Sequence, residues 1–151
     1  MMDVLEITIR LAAATIVGAA IGLNRDLRGK PTGVRTLGIV ALGSALIVMA
    51  SGSFAHTASA DWNAMSRTIQ GLITGIGFLG AGVIIRTNGE QTHVQGLTTA
   101  ASIWLTACFG VVCAVGAWGP LLVALALAFL LLVFGGQVES FVHSRLAPRS
   151  E

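Results

Sequence analysis

Residues 75–80 read Gly-Ile-Gly-Phe-Leu-Gly, inside the longer run GLITGIGFLGAGVII. The spacing is G-x-G-x-x-G. Its chemistry would be to press backbone N–H groups against a pyrophosphate at a strand-to-helix turn. That chemistry requires a preceding strand and an acidic residue about 20 positions downstream. Here the motif lies in the middle of an apolar segment, and the positions near 100 read TTAASIW. Dinucleotide binding is therefore rejected, and the glycines are assigned to close helix packing.

Other polar groups sit inside apolar runs, where each one is a functional hypothesis by default. Glu6 and Arg10 stand at i, i+4 and are expected to pair locally, with Arg10 reaching outward. Arg67, Gln70 and Thr74 begin the glycine segment, with Asp61 just upstream as a partner for Arg67. Thr98, Ser102 and Thr106 fall at i, i+4, i+8, beside Thr99 and Trp104. Two readings stay open for these residues. One is ordinary interhelical hydrogen bonding; the other is a polar line between the third and fourth apolar segments. No nucleophile stands beside a base, no carboxylates pair, and no Cys/His spacing resembles a metal site, so an enzyme is not expected. Cys108 and Cys113 are five apart and face different sides of a helix, which argues against a mutual disulfide.

The elements that must position these groups follow from composition. Of 151 residues, 54% are apolar and 11% charged, and mean hydropathy is +0.83. Soluble domains carry about a quarter charged residues. This chain cannot coat a water-facing surface, so it is read as an all-α membrane protein. Five segments approach the roughly 20 residues that a span needs. They cover about 4–23, 35–53, 66–85, 95–115 and 120–134, within a membrane domain of 1–136 followed by a short cytoplasmic tail of 137–151. Gly119-Pro120 opens the last span and Gly135-Gly136 is expected to close it. The start carries Asp3 and Glu6 where a cleaved signal would be basic, so the first span is retained.

Orientation follows from the basic residues. The loop NRDLRGKPTGVR holds Arg25, Arg28, Lys30 and Arg35, and the second loop, 54–65, has no Lys or Arg. Seven of the nine basic residues fall on one side if the N-terminus is outside and the C-terminus cytoplasmic; Arg10 and Arg67 are the exceptions. Trp62 and Trp118 then mark the outer boundary. Packing follows from small residues. Ala14, Gly18 and Gly22 make a ladder on the first span, Gly71, Gly75 and Gly82 on the third, and Ala100, Ala101, Ala107 and Gly110 on the fourth. These three spans are expected to form the inner bundle. The fifth is bulky all round and is expected to face lipid. Gly75, Gly77, Gly80 and Gly82 are denser than packing requires, so a bent or interrupted third span is the alternative.

A cation pathway is weakly supported by the residues themselves. Mg²⁺ takes one or two carboxylates and keeps several waters. No Asp or Glu lies near mid-membrane; Asp61 falls outside and Glu90 inside, both in loops. The basic first loop suits anionic lipid headgroups or an acidic partner surface, beside its plain role in setting topology.

Three blocks, GAAIGLNRDLRGKPTGVRTLGIVALGSAL, SRTIQGLITGIGFLGAGVIIR and VQGLTTAASIWLTACFGVVCAVGAW, resemble the MgtC/SapB family over residues 11–118. The resemblance implies a multi-span bacterial inner-membrane protein connected with magnesium homeostasis. Direct transport and regulation of other membrane proteins are the two competing accounts of such proteins. The family's first-loop motif is matched by Arg25, Gly29, Lys30, Pro31, Arg35 and Thr36. Asn24 stands where Glu is usual and Leu37 where His or Asn is frequent, which removes a carboxylate from the inner boundary. Arg67 and Gln70 match the polar start of the glycine span, and Gly96 to Ala101 with Trp104 match the fourth. Thr98 and Leu105 hold places where the virulence-associated branch has Asn and Cys, so the chain resembles the general branch. Many relatives append a ferredoxin-like cytosolic domain; the chain ending at Glu151 is expected to be a short form without it. The expected mode of action is helix-mediated association, with itself or with other membrane proteins, among membrane lipids. Direct Mg²⁺ transport, with Asp61 and Glu90 as mouth ligands, is the alternative. No cofactor is expected, Mg²⁺ being the one ligand kept open, and no nucleic acid is expected as a partner.

Overall fold

In hydrocarbon every backbone N–H and C=O must be satisfied within its own segment, so long apolar runs become helices. The computed structural model describes residues 2–53, 61–84 and 96–146, with side chains described over 2–52, 63–84 and 96–137. It contains five helices: α1 (Val4–Asp26), α2 (Val34–Ser53), α3 (Asp61–Ile84), α4 (Leu97–Val115) and α5 (Trp118–Leu146). No strand occurs among the described residues. Each helix is long and apolar enough to cross a membrane.

Two helix ends are set by glycines in the left-handed region, which a residue with a Cβ enters at a cost. Gly29, at φ 62°, follows α1, and Gly116, at φ 79°, follows α4. At Gly116 the N–H donates to Cys113 O and the next N–H to Val112 O, which turns the chain sharply into α5. Gly135-Gly136, by contrast, does not stop α5, which runs on to Leu146. Glycine inside a helix costs only about 1 kcal/mol relative to alanine. The long apolar stretch before it carries the helix through.

The inner bundle is α1, α2 and α4, rather than the expected first, third and fourth spans. Leu37, Ala41, Ala45 and Val48 of α2 are all buried, between Ala14, Val17 and Ile21 of α1 and Ile103, Ala107 and Cys113 of α4. Lipid tails are as apolar as leucine, so these helices are held by close van der Waals contact. A Cβ on Gly18 would lie 2.4 Å from Leu37 O, and one on Gly110 would lie 2.3 Å from Ala41 O. On Gly22 it would meet Val34 Cα and N at 2.6 Å. The backbones of α1 and α4 thus both rest against the backbone of α2.

The third-span glycines face the other way. Leu72, Ile76, Gly80 and Val83 make the inward face of α3, and Gly80 alone of its glycines meets a neighbour, Ala100 Cβ at 3.5 Å from an added Cβ. Gly71, Gly75, Gly77 and Gly82 are exposed, with nothing within 4 Å of an added Cβ. A small face permits close approach but does not name the partner. The small face of α2 took the central place. α3 is one unbroken helix, so the interrupted-span alternative falls as well. The Gly75–Gly80 run is mid-helix, not a strand-to-helix turn. α5 covers the bundle from outside with Leu121 and Ala128 turned in and Leu122, Leu127, Leu130 and Leu131 turned out.

Glu6 and Arg10 form the expected i, i+4 ion pair. Arg10 does not simply reach outward: its Nη1 also donates to Ala114 O, at the C-terminal end of α4. A cation there complements the partial negative charge of a helix C-terminus.

The packing predicts opposite responses at two sets of glycines. Gly18→Ala and Gly110→Ala should each destabilise by about 1–3 kcal/mol, the usual range for overpacking. Gly75→Ala should stay within about 0.5 kcal/mol of the parent, as for an open surface position. Unfolding by SDS titration in mixed micelles measures all three.

Candidate functional site: a buried arginine and a basic cavity

Arg25 occupies the last turn of α1, and only 3% of it is exposed. Ala14, Gly18, Gly22 and Arg25 follow one another at i, i+4, i+8, i+11, so the small ladder of α1 leads directly to this side chain. The guanidinium is held by neutral acceptors. Its Nε donates to Pro31 O (3.3 Å) and Thr32 O (3.2 Å). Its Nη2 donates to Pro31 O (2.8 Å) and Thr99 Oγ1 (2.6 Å). Its Nη1 donates to Ser102 Oγ (3.1 Å). No described carboxylate forms an ion pair with it.

The loop folds to make these bonds. After α1, Gly29 N–H donates to Asp26 O and Lys30 N–H to Arg25 O, both at 3.0 Å. These are the paired bonds of a Schellman ending, with Gly29 as its left-handed residue. The chain then doubles back, which brings the carbonyls of Pro31 and Thr32 over the guanidinium. Thr32 has φ 71°, a left-handed conformation that a β-branched residue adopts only under constraint. Its bond to Arg25 supplies that constraint.

The start of α2 is capped from α1. Val34 N–H donates to Asp26 Oδ2 at 3.0 Å. A Cβ on Gly33 would fall 1.7 Å from Asp26 Oδ1, so Asp26 fills the place where a capping side chain would otherwise stand. The α4 end is equally prepared. Ser102 Oγ donates to Thr98 O (2.7 Å), leaving its lone pairs for Arg25, and Thr106 Oγ1 donates to Ser102 O (2.7 Å).

Beside Arg25 lies a cavity of about 750 Å³. One wall is polar: Asn24, Arg25, Arg28, Lys30 and the first residues of α4 from Gly96 to Thr99. The other is apolar: Val83 of α3, and Leu131, Leu132, Gly135 and Gly136 of α5. Arg28 reaches across and donates from Nη2 to Val133 O (3.2 Å). Gly96, at φ 91°, precedes α4 and makes no side-chain cap. A second cavity, of about 580 Å³, lies between α2 and α3 and includes Arg67, Thr68, Gly71 and Gly75 in its lining.

The expected polar line between α3 and α4 is not formed. Thr99, Ser102 and Thr106 are buried, and the first two meet Arg25 of α1. Arg67, Gln70 and Thr74 are exposed on α3, with Thr74 Oγ1 bonded back to Gln70 O. Thr98 is exposed at the cavity, and Trp104 is 46% exposed on the outside. At 100° per residue, the hydroxyl face of α4 and its Ala100 face cannot both meet one neighbour. α3 takes the alanine face. Lys30 and Arg35 are exposed, as loop cations should be. The side chain of Asp61, at the start of α3, and the whole of Glu90 lie outside the described residues. Sequence reasoning placed Arg25 in a loop and missed its burial. The available signal was its register with Ala14, Gly18 and Gly22.

Removing the Arg25 side chain should strand two loop carbonyls and the Thr99 hydroxyl. Each buried, unsatisfied group costs about 1–3 kcal/mol. Arg25→Ala should therefore lower stability by about 3 kcal/mol or more, and Thr99→Val by about 1–2 kcal/mol. Arg25→Lys should recover little, because an ammonium cannot span the same fork of acceptors. Hydrogen–deuterium exchange should show residues 27–33 losing protection first.

Similarity to known proteins agrees with this picture. A model of the MgtC family matches residues 11–141. Protein SrpB of Synechococcus elongatus is 47% identical over 125 residues, which cover 77% of this chain and 67% of that protein. The putative magnesium transporter YhiD of Escherichia coli K12 is 44% identical over 110 residues, 71% of this chain and 50% of YhiD. Protein MgtC of Salmonella typhimurium is 42% identical over 108 residues, 72% of this chain and 43% of MgtC. The chain thus spans about half the length of the latter two relatives. No solved structure matches it. The matched region runs from α1 into α5 and takes in Arg25, the loop that wraps it, and the Thr99–Ser102 face. On this evidence the chain, a multi-pass membrane protein, belongs to the MgtC family.

Proposed function

We propose that the protein serves magnesium homeostasis in the bacterial inner membrane, by associating through α3 with a second copy or with another membrane protein. The magnesium connection comes from the family and from the name carried by the Escherichia coli relative. The observation that carries the mode of action is the open glycine face of α3. Gly71, Gly75 and Gly82 lie on an exposed helix with nothing within 4 Å of an added Cβ. In lipid, such a face lets another helix approach closely. Inside the bundle, the glycines of α1 and α4 are already used in that way. The N-terminus is placed outside and the C-terminus in the cytoplasm, which puts seven of the nine basic residues inside.

The printed name of YhiD favours a second reading, direct passage of Mg²⁺. The described acidic residues stand against it. Asp3 and Glu6 lie at the start of α1, Asp26 at its end, Asp61 at the start of α3 and Glu139 on α5 just past its apolar span, so none is near the middle of a span. Among the described residues, the one charge buried in the bundle core is the cation of Arg25.

One reconstitution separates the two readings. The protein and its Gly71→Leu/Gly75→Leu variant are placed in liposomes holding a Mg²⁺ dye and then crosslinked. Association predicts crosslinked oligomers in the parent, at least a ten-fold loss in the folded variant, and no dye response above empty vesicles. The variant should fold, since nothing lies within 4 Å of a Cβ added at either position. Unchanged crosslinking, or a dye response abolished by Asp61→Asn, would overturn the preferred reading.

A further inference from the structure

The cavity beside Arg25 is cationic on one wall and apolar on the other, and its chemistry is not absorbed by magnesium. Arg25, Arg28 and Lys30 all line it, and no described acidic side chain does. The nearest acid in sequence, Asp26, is committed to the Val34 N–H at the start of α2. Arg25 and Arg28 are hydrogen-bonded to hydroxyl and carbonyl oxygens, and neither forms an ion pair with a described carboxylate. The N-terminal residues of α4, with no side-chain cap, open on the same space. A divalent cation would be repelled here. An oxyanion would meet three positive side chains and the N-terminal end of α4.

The geometry points to a binding site for a phosphate group at the membrane boundary, supplied by the headgroup of an anionic phospholipid. The opposite wall decides between a lipid and soluble phosphate. Val83, Leu131 and Leu132 bound the cavity along α3 and α5. Leu131, on that wall, is 68% exposed. Soluble phosphate has no use for such a surface, whereas an acyl chain leaving the headgroup would lie along it. Basic pockets between spans are the usual form of such headgroup sites. Gly135 and Gly136 keep the α5 side of the cavity open, since nothing lies within 4 Å of a Cβ added to either. The site spans α1, α3, α4 and α5, so a bound lipid would tie the two outer helices to the inner bundle. This inference is independent of the magnesium reading.

The test is thermal melting of the full chain in dodecylmaltoside micelles, titrated with dioleoyl phosphatidylglycerol, with dioleoyl phosphatidylcholine, or with inorganic phosphate. Phosphatidylglycerol should raise the melting temperature by several degrees and phosphatidylcholine should not. Lys30→Gln removes one cavity cation at an exposed position. It should raise the half-saturating mole fraction of phosphatidylglycerol about five-fold, the effect of one basic residue near an anionic lipid. Arg35→Gln removes an equal charge at the same end but off the cavity, and should change it less than two-fold. Gly136→Leu fills the cavity from an uncrowded position; it should abolish protection by phosphatidylglycerol while leaving the melting temperature in phosphatidylcholine unchanged. Equal protection by both lipids, or equal losses in Lys30→Gln and Arg35→Gln, would overturn the site. Protection by inorganic phosphate alone that matches phosphatidylglycerol would keep the oxyanion site and assign it to soluble phosphate.

Discussion

A guanidinium buried with no ion pair to a described carboxylate constrains this protein more than any other group. Taking a cation out of water costs several kcal/mol unless hydrogen bonds replace its hydration. Arg25 finds its acceptors in two places at once: the Pro31 and Thr32 carbonyls of its own loop, and the Thr99 and Ser102 hydroxyls of α4. To satisfy one side chain, the loop must double back and α4 must present its hydroxyl face. The left-handed Thr32, the Schellman turn at Gly29 and the Asp26 cap on α2 all belong to that arrangement.

The second constraint is contact between backbones. In a bilayer, burial of apolar surface does not distinguish helix from lipid, so the bundle depends on how near two helices can come. Gly18, Gly22 and Gly110 let α1 and α4 lie against α2 with no room for a methyl group. The two constraints reinforce each other. The ladder that brings α1 against α2 also carries Arg25 inward, and the same α4 that touches Ala41 supplies its hydroxyls. Arg10 does a related service at the opposite end, where it joins Glu6 to the α4 terminus. The result is a tight three-helix centre with α3 and α5 packed outside it. The open glycine face and the basic cavity both belong to that less crowded periphery.

Much of this was legible in the chain itself. Low charge and high hydropathy require a membrane protein, and the segment lengths require five helices, because hydrocarbon leaves the backbone no other solution. The Glu6–Arg10 pair follows from one turn of helix. The end of α4 at Val115 matches the bound read from its apolar run. The three blocks that resemble the MgtC/SapB family were equally visible, and the family match confirms them.

What the chain did not decide was which face meets which neighbour. Glycine ladders on α1 and α3 look alike in sequence, yet Gly18 is pressed against a backbone and Gly75 touches nothing. Thr99 and Ser102 read as well toward α3 as toward α1, and Arg25 read as a loop cation. Periodicity sets directions within one helix, whereas partner choice depends on the joint fit of three helices and one charged side chain. Sequence by itself therefore determined the number of helices and several of their ends. The tertiary structure alone decided the inner bundle, the burial of Arg25 and the cavity it borders, because each depends on contacts between residues far apart in the chain.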